Sequence, residues 1–443
     1  MFLYEVENFI KDNNLFSRED KILLALSGGC DSVVLFDILK KLNCNFAAAH
    51  ANFKLRGKDS DDDEIFTENL CKKNGIELFK KSFDTRKYAK TNKLSLEDAA
   101  RKLRYEMFYE IADSHGFTVI ATAHHLNDRM ETFFINLSKG TGIKGLRSIQ
   151  PKKHNIVRPL LFAPKHKIEL YCKNEGLSYR TDKSNFDTYF LRNKFRHSVL
   201  PVFFEVNPKF AESMSRNFKH LTELEKIYNE YVNKKKDEII SYNNNLIYID
   251  INKLTSSKAP LTLLYEIIHP YGFSSKQSED ILNNLKNLQT GKIFYSAKSR
   301  LLKDRNNLII STGKNTEQKT FIINKDVKLT EKPVKLSFEI IDRKEISDFK
   351  TGKNTAFADV EKIKFPLKIR TSKTGDFFFP FGMRGKKLLS DFFTDMKLNL
   401  FEKEKINLLT SADDNIIWII GYRTDDRYKI SENTKKVLKI KRL

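Results

Sequence analysis

The chemistry most plainly written into this 443-residue chain lies in Ser27-Gly28-Gly29-Cys30-Asp31-Ser32. Two adjacent glycines let the backbone turn sharply and approach a ligand closely. A strand, a turn and a helix start would gather free N–H groups at the positive end of a helix dipole, a geometry that binds phosphate. Asp31 in the same turn could hold a divalent cation against those phosphates. The stretch is not a Walker A loop, because its spacing is shorter and no Lys follows the second glycine. An ordinary strand–helix turn capped by Ser27 or Asp31 is the plainer alternative. The full Ser-Gly-Gly-Xaa-Asp-Ser string after a buried strand favours nucleotide binding. A second acid, Asp128, sits in His124-His125-Leu126-Asn127-Asp128. With Asp31 it makes a pair of carboxylates suited to Mg²⁺ on a nucleoside triphosphate such as ATP. Two histidines without a matched third ligand suit polar caps better than a metal site.

Alternating strands and helices must position these groups. Residues 22 to 26 are apolar without a break, as in a strand buried on both faces. Val34, Leu35, Ile38, Leu39 and Leu42 recur at helical spacing behind the loop. Asn45 to His50 reads as a second buried strand, and its end places His50 where ligands bind in open parallel sheets. A third strand is expected over Glu77–Phe83 and a fourth over Thr118–Ala123. The acidic Ser60-Asp61-Asp62-Asp63 is expected to cap a helix over 61–74. Ser95-Leu96-Glu97-Asp98 opens another helix as a capping box. On it Arg101 and Arg104 are surface neighbours. A solvated basic face is one reading; beside a phosphate loop, Arg104 as a nucleotide contact is the sharper one. This alternation predicts a doubly wound parallel sheet. A smaller helical and mixed domain and a small basic β-rich module should follow. The expected boundaries are 1–207, 208–320 and 321–443.

The charge balance points outward. There are 79 Lys and Arg against 57 Asp and Glu, a formal charge of +22. That surplus suits a polyanionic partner, although a Lys-rich solvated surface would give the same count. Residues 361–443 alone hold 19 basic and 11 acidic side chains, a surplus of 8. Within them Arg370, Arg384, Lys386 and Lys387 read as a platform for an RNA backbone. Arg192, Asn193 and Arg196 lie in a basic stretch interleaved with aromatics, which also suits nucleic acid. The four cysteines include no C-x-x-C pair, so a reducing cytosol fits. No basic, apolar leader and no run long enough to span a bilayer is present, so a soluble cytoplasmic protein is expected.

The Ser27–Ser32 string resembles the pyrophosphate-binding loop of the N-type ATP pyrophosphatases. Together with His50–Gly57, Ser95–Tyr105, Ala123–Thr132, Lys139–Leu146, Ser184–Pro201 and Arg370–Lys387, the chain resembles the bacterial tRNA(Ile)-lysidine synthetase family over nearly its whole length. Asn127, where the family often has a second Asp, and Asn399, where a Pro is common, are small departures. The resemblance implies that ATP adenylates the wobble cytidine of the CAU-anticodon tRNA(Ile), and that free L-lysine then displaces AMP. It implies ATP binding at Ser27, Gly28, Gly29, Cys30, Asp31, Ser32 and His50. It also implies Mg²⁺ on Asp31 and Asp128, a cationic role for Arg104, and orientation or proton transfer by His124. A tRNA thiolase of the same superfamily is the nearest rival, with Cys30 inside the loop. A non-catalytic RNA-binding protein is a second rival, and a small-molecule amidotransferase would leave the C-terminal module without purpose. The oligomeric state is not fixed by the sequence, a homodimer being one arrangement.

Overall fold

The computed structural model describes residues 1–181, 191–285, 287–313, 320–346, 352–383 and 385–443. The chain divides into two compact units, Met1–Asn229 and Glu230–Leu443.

In the first unit, α1 (Phe2–Asp12) precedes β1 (Ile22–Ala25), α2 (Cys30–Lys41), β2 (Phe46–Asn52), α3 (Lys58–Asn74) and β3 (Leu78–Ser82). Then come α4 (Thr85–Asn92), α5 (Leu96–His115), β4 (Val119–Ala121), α6 (Leu126–Ser138), α7 (Ile143–Leu146), β5 (Lys152–Lys153), β6 (Ile156–Val157) and α8 (Lys165–Asn174). The strands form one sheet in the order β3-β2-β1-β4-β6-β5. Every neighbouring pair from β3 to β6 is parallel, and only β5 runs against its neighbour. Both faces are covered. Ile22 and Leu24 of β1 face a core shared with α1, α2 and α8. Leu23 between them faces Met107, Phe108 and Ala112 of α5. That alternation is why β1 carries no polar residue: a strand with helices on both faces has no wet side. The doubly wound parallel sheet expected from the sequence is present.

Several boundaries differ from expectation. The strands at 77–83 and 118–123 are shorter at both ends. Helix α3 starts at Lys58 behind Gly57, whose φ of +54° suits glycine. The acidic cluster therefore lies inside the first turns rather than capping them. Asp61 pairs with Lys54 at 2.7 Å, and Asp63 with Arg56 at 2.8 Å. Further along come α9 (Leu191–Lys194), a wide helical turn at Phe195–Val199, and α10 (Leu200–Val206). The long α11 (Phe210–Ile239) follows. Its first half buries Met214 and Phe218 against Leu126 and Met130 of α6.

The second unit is rich in antiparallel sheet. A five-stranded sheet is built from residues 240–312, another five-stranded sheet from 321–424, and a four-stranded one from 329–442. Trp418, Ile417, Leu409 and Ile369 fill the main core of its C-terminal part. Phe401 packs with Leu246, Leu302 and Ile309, and Arg300 is bidentate on Glu404, so residues 242–312 and 400–404 share one core. Among the described residues, no helix is long and apolar enough to cross a membrane.

Candidate active site

The loop after β1 takes its shape from glycine and serine. Gly28 has φ +88°, a left-handed conformation that costs any other residue strain. A Cβ there would also meet Phe66 and Thr67 of α3 at 3.4 Å. Gly29 is the N-cap of α2. The Ser32 hydroxyl donates to the Gly29 carbonyl at 2.9 Å and lies 3.1 Å from the Ser27 hydroxyl. The opening amides of α2 have no acceptor within their own helix, as at any helix start. Cys30 and Asp31 occupy that first turn.

The second wall comes from β4 and α6. His125 caps α6: its Nδ1 accepts from the Asp128 N–H at 3.4 Å, and Asp128 Oδ2 accepts from the His125 N–H at 3.0 Å. With Nδ1 engaged at the cap, Nε2 is the ring's other polar atom. That atom lies 3.8 Å from Asp31 Oδ2 and 3.5 Å from Asp128 Oδ2. One imidazole edge thus faces both acids named from the sequence. Their other oxygens are held by cations, Asp31 Oδ1 by Lys165 at 2.6 Å and Asp128 Oδ1 by Arg196 at 3.5 Å.

Ser27, Asp31, Ser32, Arg104, His124 and Asp128 line one cleft of about 230 Å³, whose other walls include Ala49, Phe53, Tyr105 and Phe108. The strand β2 end and the first half of α5 supply the apolar side. Arg104 lies 5.4 Å over the Phe53 ring. His50 is buried behind the cleft rather than lining it, 2.9 Å from the Leu26 carbonyl through Nδ1, and burial holds it below the usual histidine range. Its place is to brace the chain entering the loop. His124 is half-buried with Nδ1 2.9 Å from the Thr122 hydroxyl. Burial lowers it to about 4, so the ring is neutral at neutral pH. Burial alone would raise Asp128, but His125, its N–H and Arg192 outweigh it and hold the carboxyl well below its usual range.

The basic residues named from the sequence divide differently. Arg196 is turned inward onto Glu131, Nε to Oε1 at 2.7 Å, and Arg192 reaches the same carboxylate at 3.5 Å and the Thr132 hydroxyl at 3.2 Å. Glu131 is fully buried. Asn193 lies beside them on α9, half-buried. In the second unit Arg370 is buried and bidentate on Asp376 at 2.7 and 2.9 Å, so it locks a loop and offers no outward surface. Lys386 is exposed above the Phe377 ring at 5.5 Å, and Lys387 pairs with Asp395. Arg384 lies outside the described residues.

Three family models cover the chain in order: a PP-loop domain over residues 2–203, a TilS substrate binding domain over 242–326, and a TilS substrate C-terminal domain over 367–440. The tRNA(Ile)-lysidine synthase of Parabacteroides distasonis is 38% identical over 436 residues, covering 98% of each chain. That of Bacteroides thetaiotaomicron is 39% identical over 440 residues, covering 99% of each. The chain belongs to the tRNA(Ile)-lysidine synthase family. Among solved structures, the U34-tRNA thiolase NcsA of Methanococcus maripaludis overlays 50% of this chain and 80% of its own at 19% identity and a TM-score of 0.43, which decides nothing.

As a PP-loop protein of the lysidine synthase family, the chain uses ATP. The four cysteines are free thiols, and burial disfavours their thiolate forms. Burial pushes Cys30 up to about 12 and Cys44 and Cys71 up to about 11, and raises Cys172.

Sequence reading missed Lys165, Glu131 and Arg196 as parts of this site. Lys165 did leave a signal. It follows Pro164 at the very start of a helix, where a cation opposes the dipole and needs a counter-ion; Asp31 is that counter-ion. Burial alone would lower Lys165, but Asp31 outweighs it and the ammonium is held above its usual range. Asn127, the departure noted at the α6 start, accepts from the Lys165 N–H at 2.9 Å. An amide oxygen serves there as well as a carboxylate would.

Proposed function

We propose that this protein ligates free L-lysine to C2 of the wobble cytidine in CAU-anticodon tRNA(Ile), cutting ATP to AMP and pyrophosphate. The observation that carries the reading is the facing of Asp31 and Asp128 onto one His125 edge beside the Ser27–Ser32 loop, in a chain matched along its length by the family. The loop amides and Ser32 would receive the phosphates, with the α2 dipole favouring the charge that develops on pyrophosphate. In the first step the cytosine O2 attacks the α-phosphorus and the bond to pyrophosphate breaks. In the second the lysine ε-amine attacks C2, AMP leaves with the O2 oxygen, and the amine loses a proton. His124, neutral and at the cleft wall, is placed to orient the base or accept that proton. Arg104 supplies a fixed cation at the opposite wall.

Two carboxylates that share one open edge suit Mg²⁺, which takes one or two protein acids and completes its shell with phosphate oxygens and water. Among the described residues no larger cluster of metal-binding side chains competes for it. Asp31 and Asp128 would hold the ion, which when bound would neutralise charge on the phosphates.

The deciding experiment supplies ATP, Mg²⁺, radiolabelled lysine and one of two CAU-anticodon tRNAs, the isoleucine tRNA or the initiator. Label is expected in the isoleucine tRNA alone. Label in neither, or tRNA thiolation with a sulfur donor, sinks the reading.

A further inference from the structure

Arg158, just after β6, is used by nothing described so far. It is only 6% exposed. Its Nη1 donates to the Gln150 carbonyl at 2.8 Å, while Nε is buried without a hydrogen-bond partner among the described residues. Among the described residues no carboxylate forms an ion pair with Arg158, Arg101 or Arg104. A guanidinium cannot shed its proton to escape burial. Charge buried without a counter-ion is costly, and here the neighbours are cations as well. Arg101 stacks 5.2 Å over the Tyr105 ring, and Arg158 lies beside the same Tyr105. Tyr105 and His124 line the cleft, and both Arg101 and Arg158 act on His124 through their charge. The cations gathered around Tyr105 make this place suited to an anion.

The sheet order sets Arg158 apart from the phosphate loop. The phosphate loop follows β1, whereas Arg158 follows β6, on the far side of β4 in the sheet order. His124, at the end of β4, stands between them. A nucleotide swung out of an RNA loop carries a backbone phosphate on either side of its ribose, so a base entering beside His124 brings an anion to its flank.

We infer that Arg158, with Arg101 across the Tyr105 ring, receives a backbone phosphate of the RNA next to the nucleotide that enters the cleft. This rests on the tRNA-modifying function proposed above. It adds a recognition site for the RNA backbone inside the catalytic domain, apart from the basic C-terminal module.

The test uses the full-length protein and anticodon stem-loop RNAs carrying one uncharged methylphosphonate linkage, either 5′ or 3′ of the target cytidine. Binding is read by filter retention, without need of turnover. In the wild type, one of the two linkages is expected to weaken binding by about tenfold, the scale of one lost charge-assisted contact. Arg158→Gln should weaken binding of the unmodified RNA by a similar factor, leave ATP affinity by calorimetry unchanged, and make the neutral linkage harmless. If neither linkage affects the wild type, the inference is overturned, whatever the variant's stability. If Arg158→Gln loses ATP affinity while RNA binding holds, the anion is a nucleotide phosphate and the inference is equally overturned. Absence of lysine labelling would instead strike the proposed function, since the RNA-binding readout stands without catalysis.

Discussion

At the residue scale, two neighbours separate binding chemistry from scaffolding. Asp128 points an oxygen at the edge it shares with Asp31, while Asn127 spends its side chain on the α8 start. Asp128→Asn keeps the shape but removes the charge. It should lower lysine incorporation by at least about a hundredfold, as loss of a preorganised electrostatic group does, with tRNA binding largely kept. Asn127→Asp should change incorporation less than about threefold, because either oxygen can accept from the Lys165 N–H. Equal losses in steady-state assays would refute the division. His124 makes a pH prediction. Its value falls from an ordinary 6.5 to about 4 on folding. Between those values the unfolded chain binds more protons, so stability rises with pH through that window. The contribution is complete above the ordinary value and is lost as pH falls toward the folded one, amounting to no more than about 3 kcal/mol. Urea midpoints measured from pH 4 to 7 should climb more steeply for the wild type than for His124→Gln.

At the element scale, the site is a meeting of helix starts. The first turns of α2, α6 and α8 bring Asp31, His125 with Asp128, and Lys165 together. Gly28 sets the approach of α2. Gly28→Ala should cost about 1 kcal/mol in left-handed strain, its Cβ only in van der Waals contact with Phe66 and Thr67, and relief of that strain should move the loop amides. ATP affinity by calorimetry should fall further than thermal stability does; unchanged affinity would mean the loop does not hold the phosphates. Much of this was legible in the sequence because it is local. The apolar run of β1, the paired glycines and the helical period of α2 are all read within twenty residues of one another. Lys165 reaches Asp31 across 134 positions and Arg196 reaches Glu131 across 65, and no periodicity links them. The arginines misled for a related reason. Composition reports charge but not direction, and Arg192, Arg196 and Arg370 each found a carboxylate inside the fold.

At the scale of the whole molecule, the inward arginines change what the +22 charge can do. Cations already paired with a carboxylate of the fold displace few counter-ions from RNA, so they add little to the salt dependence of binding. The exposed lysines, together with Arg101, Arg104 and Arg158, which form no ion pair among the described residues, are what remain for the polyanion. Binding of the tRNA should therefore weaken steeply with salt, with a slope of log Kd against log salt nearer about 5 than the figure a count of all basic residues would suggest. Lys386→Gln should lower that slope by about one phosphate contact, since its ammonium is exposed over Phe377. Arg370→Gln should leave the slope alone and act on stability, because its guanidinium is spent on Asp376. Filter binding between 50 and 300 mM salt, ranges chosen to span about a twofold change in screening length, separates the two effects. If Arg370→Gln flattened the slope while the fold stayed intact, the guanidinium would have to leave Asp376 for RNA, and the distinction between cations spent on a carboxylate and RNA-facing ones would fail.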